Sequence, residues 1–219
     1  MSTTGPGPSP RRVDIGIIGC GEVTQVIHAP TLILLSHLFR IRYVCDVSPG
    51  ALELVSSRIP NEHTGTADPA KVCASPDIEV VFILNSDEYH CAHAVMALRH
   101  GKHVFIEKPM ALCIRDADRI IEAERESGKK VMVGYMRRYA VAFADALAEI
   151  GGAGEILYAR VRGVIGYPQQ HPLGRRDSLT PKGIDEEDGR YHRSKSDLYW
   201  PVRDIPTELR GCSGSSNVG

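Results

Sequence analysis

The sequence predicts an α/β fold, a doubly wound parallel sheet with helices on both faces, over residues 13 to about 150. Three observations predict it. Short apolar runs alternate with segments of helical period from Val13 onward; a glycine-rich turn, Gly19-Cys20-Gly21, separates the first run from its helix; and an acid, Asp46, closes the second run. Strands covered on both faces read as continuous β-branched runs, and strand–helix alternation of this length favours a parallel sheet.

The elements follow in order. Val13–Ile18 is a buried strand ending at Gly19. Val23–Ser36 has helical spacing, with Val26, Ile27, Ile33 and Leu34 as inward positions and Pro30 as a kink or restart. Ile41–Cys45 is the second strand. Ser48-Pro49 supplies an N-cap with Pro behind it, so Ala51–Arg58 is a helix, and Asp68-Pro69 repeats the signal for a helix to about Ala74. Val80–Leu84 is the clearest buried strand. A helix from about Tyr89 to His100 follows, stopped by Gly101, then the strand Val104–Ile106. Arg115–Ser127 is an amphipathic helix, with Ala117, Ile120, Ile121 and Ala123 inward and Gly128 as its stop. Val131–Val133 is a strand, Val141–Ile150 a helix, and Ile156–Val164 alternates like a strand.

Residues 1–12 read as a flexible tail without an apolar signal region, 13–150 as the dinucleotide-binding domain, 151–166 as the start of a second domain and 167–219 as irregular or disordered. The exception in that last stretch is Leu198-Tyr199-Trp200, whose aromatics suit an interface anchor.

Composition excludes several classes. The chain has 219 residues, 42% hydrophobic and 24% charged, with 26 Lys+Arg against 27 Asp+Glu. That balance leaves no basic excess to track a nucleic-acid backbone. No stretch approaches the roughly 20 apolar residues of a membrane span. The six cysteines form no C-x-x-C pair, so neither a disulfide framework nor a zinc site is expected, and a reducing, cytoplasmic setting is. His90 and His93 stand three apart without a second Cys/His pair, and read as residues in the first turns of a helix. No metal is expected.

Chemistry concentrates at two places. In Gly19-Cys20-Gly21-Glu22-Val23-Thr24 the first glycine permits a tight turn and the second lets backbone approach a pyrophosphate, while the helix start presents N–H groups to it. Thr24 occupies the position of a third glycine, which serves helix–strand packing, so the helix is expected to sit slightly further from the sheet. Asp46 can accept from the hydroxyls of an adenosine ribose and would repel a 2′-phosphate, which favours NAD over NADP. Glu107-Lys108-Pro109 follows a strand, which puts Lys108 at the carboxyl edge where open α/β sheets bind ligands. Pro109 keeps Lys108 out of the helical region. A lysine there can exchange a proton with a substrate oxygen while hydride moves.

Four segments together, Gly-Ile-Ile-Gly-Cys-Gly-Glu-Val (16–23), Val-Cys-Asp (44–46), Glu-Lys-Pro-Met-Ala (107–111) and Gly-Tyr-Met-Arg-Arg (134–138), resemble the Gfo/Idh/MocA oxidoreductases over about residues 13–165. The resemblance implies a Rossmann-like domain followed by an α+β domain on an open antiparallel sheet, of which only the beginning is recognisable here. It implies that Gly19, Gly21, Glu22 and Val23 hold the pyrophosphate and Asp46 the ribose. Asn85 and Ser86 then meet the nicotinamide ribose, with Tyr89 and His90 beside them. Glu107 and Lys108 form the catalytic dipeptide, Lys108 reaching the substrate, and Arg137 approaches cofactor or substrate. After Gly166 the pattern is lost, and neither His171 nor His192 takes a catalytic role.

The first reading is therefore an NAD-dependent oxidoreductase acting on a hydroxyl of a sugar, polyol or related small molecule. The alternative is an inactive nucleotide-binding remnant lacking its substrate domain. A methyltransferase shares the glycine loop and acid but has no use for Glu107-Lys108-Pro109. The strand from Ile156, cut from its sheet, is expected to favour association of copies into homo-oligomers.

Overall fold

The structure, a computed structural model, describes residues 11–152 together with 154, 156 and 158. They fall into two compact units that divide after Val133. Residues 1–10 of the expected tail 1–12, the expected tail 167–219 with Leu198-Tyr199-Trp200, and most of the strand expected from Ile156 lie outside the described residues.

In the first unit the elements are β1 (Val13–Ile18), a π-helical turn (Thr24–His28) running into α1 (Ala29–Leu34), β2 (Phe39–Cys45), α2 (Pro49–Arg58), β3 (Thr64–Thr66), α3 (Pro69–Ala74), β4 (Val80–Ile83), a 3-10 turn (Asp87–Tyr89), α4 (His90–Arg99), β5 (His103–Ile106), α5 (Ile114–Ser127) and β6 (Val131–Val133). The sheet has six strands in the order β3-β2-β1-β4-β5-β6, and every pairing is parallel. The chain leaves β1 toward one edge and resumes at β4 toward the other. The crevice beyond the carboxyl ends of β1 and β4 is thus the topological switch point, where such sheets bind ligands.

Alternation along the strands feeds two core layers. Ile15 and Ile17 pack with Ala29, Leu32 and Val55 on one face; Ile18, Val81, Ile83, Val104 and Ile106 pack with Val72, Leu98 and Ile120 on the other. Between them, Gly16 admits no side chain: a Cβ there would lie 2.5 Å from Val72 Cγ1 and 2.7 Å from Ile78 Cδ1. The start signals act as expected. Ser48 Oγ accepts from the Ala51 N–H and an Asp68 oxygen from the Ala70 N–H, each with Pro in the first turn. Gly128 ends α5 in the left-handed region at φ 65°.

Three elements depart from expectation for physical reasons. In the first helix the buried residues are Thr24, Gln25, Ala29 and Leu32, while Val26, Ile27 and Leu34 are exposed. The π-turn inserts one residue ahead of Pro30, so the inward stripe is rotated from where a regular 3.6 period puts it. The edge strand β3, Thr-Gly-Thr, carries no apolar pattern and exists only through its pairing with β2. On α5, Ile121, expected inward, is exposed, while Asp116 is buried and paired with Arg119 at 3.3 Å.

Cys20, Cys45, Cys73 and Cys91 are free and buried, but Cys113, at the N-cap of α5, is in a disulfide, a departure that sequence spacing alone does not reveal. Among the described residues no helix is long and apolar enough to cross a membrane. The second unit holds a 3-10 turn (Met136–Tyr139) and α6 (Val141–Glu149), which ends in Gly151 and Gly152 at φ 78° and 106°.

Candidate cofactor site

The glycine loop is built by close approach. Gly19 has φ 102°, and a Cβ on it would fall 2.5 Å from the Asn85 nitrogen, so only glycine lets the end of β1 pass the end of β4. Its N–H donates to Cys45 O at 2.8 Å. Gly21 is the opposite case: a Cβ there would meet no atom within 4 Å. Glu22 and Val23 follow it, exposed, at the helix start. Thr24 is fully buried and its hydroxyl donates to Gly19 O at 2.7 Å, so the side chain that replaces a third glycine ties the helix back onto the loop. Gln25 does likewise, donating through Nε2 to Cys20 O at 2.7 Å.

Asp46 closes the next strand and joins the loop to it. Oδ2 accepts the Cys20 N–H at 2.6 Å and Oδ1 the Ser48 N–H at 2.7 Å, which leaves each oxygen a further lone pair. Beside it an open cleft of about 410 Å³ is lined by Gly19, Asp46, Val47, Pro69, Asn85 and Tyr89 among others. His93 is on its wall, stacked on Tyr89 at 6.0 Å between ring centroids, and its Nδ1 accepts from Asn85 Nδ2 at 3.1 Å. Burial, with His90 adding to it, pushes the His93 imidazole down to about 4. Asn85 Oδ1 is buried beside the cleft without a protein partner, an acceptor left for something that enters. Cys20, inside the loop, is no nucleophile: burial first and the Asp46 carboxylate second push its thiol far up.

The Glu107-Lys108-Pro109 step continues β5, with the Lys108–Pro109 peptide cis. Glu107 Oε1 accepts from His28 Nε2 at 2.9 Å, and its Oε2 accepts the Lys108 N–H at 2.9 Å. The His28 ring lies edge-on to Phe105, which stacks on Phe82 with centroids 4.8 Å apart. Lys108 itself is exposed. His90 is fully buried, Nδ1 lying 2.7 Å from Pro109 O and Nε2 3.1 Å from Asn85 O. Ser86 donates to Glu88 at 2.6 Å.

The carboxyl edge of the first unit therefore carries Gly19, Gly21, Glu22, Val23, Asp46, Asn85, Ser86, Glu107 and Lys108, with His90 buried behind it. Arg137 belongs to the second unit, where it is exposed in the 3-10 turn. Sequence reading missed His28, because nothing local distinguishes it from any helix residue, and gave His93 no role. A glycine loop that accommodates a close partner, an open face over Gly21, and an orphaned acceptor at Asn85 together fit a dinucleotide.

Comparison with known proteins agrees. The family model GFO_IDH_MocA, an oxidoreductase family with an NAD-binding Rossmann fold, matches residues 13–135. Inositol 2-dehydrogenase of Salmonella paratyphi B is 34% identical over 145 residues, which cover 66% of this chain and 41% of that protein. The 1-carboxy-3-chloro-3,4-dihydroxycyclohexa-1,5-diene dehydrogenase of Comamonas testosteroni is 30% identical over 146 residues, 66% of this chain and 36% of the relative. A solved structure of scyllo-inositol dehydrogenase from Lactobacillus casei, with bound NAD(H) and scyllo-inositol, is similar with a TM-score of 0.58 at 27% identity, covering 64% of this chain and 42% of that one. The chain spans about two fifths of the length of the curated relatives it matches.

Proposed function

This chain belongs to the Gfo/Idh/MocA oxidoreductase family, and on that premise we propose that it carries the cofactor half and the proton-handling lysine of an NAD-dependent dehydrogenase for a polyol or sugar hydroxyl. One observation carries the reading. The glycine loop, open at Gly21, stands at the same carboxyl edge of the sheet as Asp46, after the neighbouring strand, and Lys108, after β5, which supports a cofactor-holding and a proton-handling role for them.

In this reading the pyrophosphate lies against Gly19, Gly21, Glu22 and Val23, where helix-start N–H groups face it. Asp46 accepts from the adenosine ribose hydroxyls with its remaining lone pairs, and its negative charge disfavours the 2′-phosphate of NADP. The orphaned Asn85 Oδ1 and the Ser86 hydroxyl serve the nicotinamide end, and Glu107 supports the dipeptide. When bound, the nicotinamide supplies the hydride acceptor or donor. Lys108, as the free amine, takes the proton from the substrate hydroxyl as the carbonyl forms, and as the ammonium returns it in the reverse direction. Its exposure leaves the amine free to reach a substrate. Arg137, in the second unit, is assigned by the family resemblance alone. Similarity to inositol dehydrogenases supports a cyclic polyol as the substrate class.

Calorimetric titration with NADH and with NADPH tests this. Saturable binding that favours NADH is expected; absence of binding by either nucleotide overturns it.

A further inference from the structure

Lys108 stands between two residues that are each held by a buried or largely buried histidine from a different helical element. On its amino side, the Glu107 carboxylate accepts from His28 Nε2 at 2.9 Å and from the Lys108 N–H at 2.9 Å. Both side chains are largely buried, at 14% and 17% exposure. On its carboxyl side, the Pro109 carbonyl lies 2.7 Å from Nδ1 of His90, which is fully buried and whose other nitrogen faces Asn85 O at 3.1 Å. Neither histidine lines the cleft.

We infer that His28 and His90 are positioning residues that fix the backbone on both sides of Lys108, and that neither serves as a cofactor ligand. This rests on the reading of Lys108 as the proton-handling residue. Lys108 carries a long, exposed side chain whose reach is useful only if its origin is fixed, since misplacement of a catalytic group by about 1 Å can cost orders of magnitude in rate. The step after β5 leaves the sheet ladder, so strand hydrogen bonds no longer hold it. His28 supplies the missing constraint through Glu107, and it stands on the helix that begins at the glycine loop. His90 supplies the other: a neutral imidazole has one N–H to donate, and Nδ1 lies 2.7 Å from Pro109 O, closer than Nε2 lies to Asn85 O at 3.1 Å. The buried ring thus lies between the end of β4 and the residue that follows Lys108. A fully buried ring whose two nitrogens both face backbone oxygens presents no polar atom to a ligand in the cleft.

The test is site-resolved amide hydrogen exchange on the full chain without nucleotide, comparing the native sequence with His28→Ala, His28→Gln, His90→Ala and His90→Gln. Loss of one buried hydrogen bond should raise exchange locally by about tenfold over residues 107–111, while α5 and β1 keep native rates. Glutamine can donate to the same acceptors and should restore most of the protection, which a purely space-filling role would not produce. If His90→Ala fails to fold, His90→Gln and the His28 pair carry the test. Native exchange rates over 107–111 in the alanine variants overturn the proposal. So does a rise spread evenly over the sheet, or glutamine variants that behave like alanine. Because nucleotide is absent, failure of NADH binding would count against the proposed function and leave this result untouched.

Discussion

The Cys20 N–H donates to Oδ2 of Asp46 at 2.6 Å, so the acid at the end of β2 holds the glycine loop at the end of β1. With Oδ1 occupied by the Ser48 N–H, the carboxylate braces two loops before any ligand arrives. The carboxylate proposed to meet the ribose is therefore also a brace between loops.

Asp46→Ala and Asp46→Asn should therefore both lower stability, by about 1–3 kcal/mol, since each leaves a donor without its carboxylate. Both should also narrow the preference for NADH over NADPH. Urea denaturation and paired titrations measure the two effects. An unchanged nucleotide ratio would remove Asp46 from the ribose.

The two loop glycines should separate fold from binding. Gly19→Ala forces a Cβ into the Asn85 backbone at a left-handed φ, and should cost more than about 2 kcal/mol. Gly21→Ala meets no protein atom, so stability should stay level or rise by roughly 0.5 kcal/mol. Its affinity for NADH should nevertheless fall markedly, because the space over Gly21 is wanted by the ligand. Native affinity in Gly21→Ala would place the pyrophosphate elsewhere.

His93 should make the fold acid-sensitive. Its ordinary value of 6.5 is lowered to about 4 by burial and by His90. The unfolded chain then binds this proton below 6.5 and the folded one only near 4, so stability falls as pH drops through that window. The loss at pH 4.5 relative to pH 7 should be about 2 kcal/mol, and His93→Gln should remove that share of it. Equal pH dependence in both proteins, read from urea midpoints, would show that His93 protonates freely in the cleft.

The four buried thiols should resist alkylation at neutral pH. Burial pushes Cys45 and Cys73 up to about 12 and Cys91 to about 11, and Cys20 further still. Peptide mapping after a thiol reagent should find these positions unmodified until denaturant is added. Rapid labelling of Cys20 in the native chain would mean that the loop opens.

Lys108→Ala should leave NADH affinity within a few fold, since the amine is assigned to the substrate proton. A large loss of affinity would make Lys108 a cofactor ligand.

Much of this was legible along the chain. Parallel strands, their helices, the caps at Ser48 and Asp68 and the stop at Gly128 depend on local pattern and side-chain chemistry, which travel with the sequence. The glycine loop, Asp46 and Lys108 were also legible, because strand-end position in a parallel sheet follows from element order. Phase and pairing were not. The π-turn before Pro30 shifts the phase of the first helix and leaves Val26 and Ile27 exposed, while Thr24 is buried with its hydroxyl on Gly19 O. The contacts of His28 with Glu107 and of His90 with Pro109 join residues far apart in sequence, and only the packed sheet brings them within hydrogen-bond distance. Local sequence determined which groups stand at the crevice, and tertiary packing decided which of them are held, because a hydrogen bond across elements needs both backbones already in place.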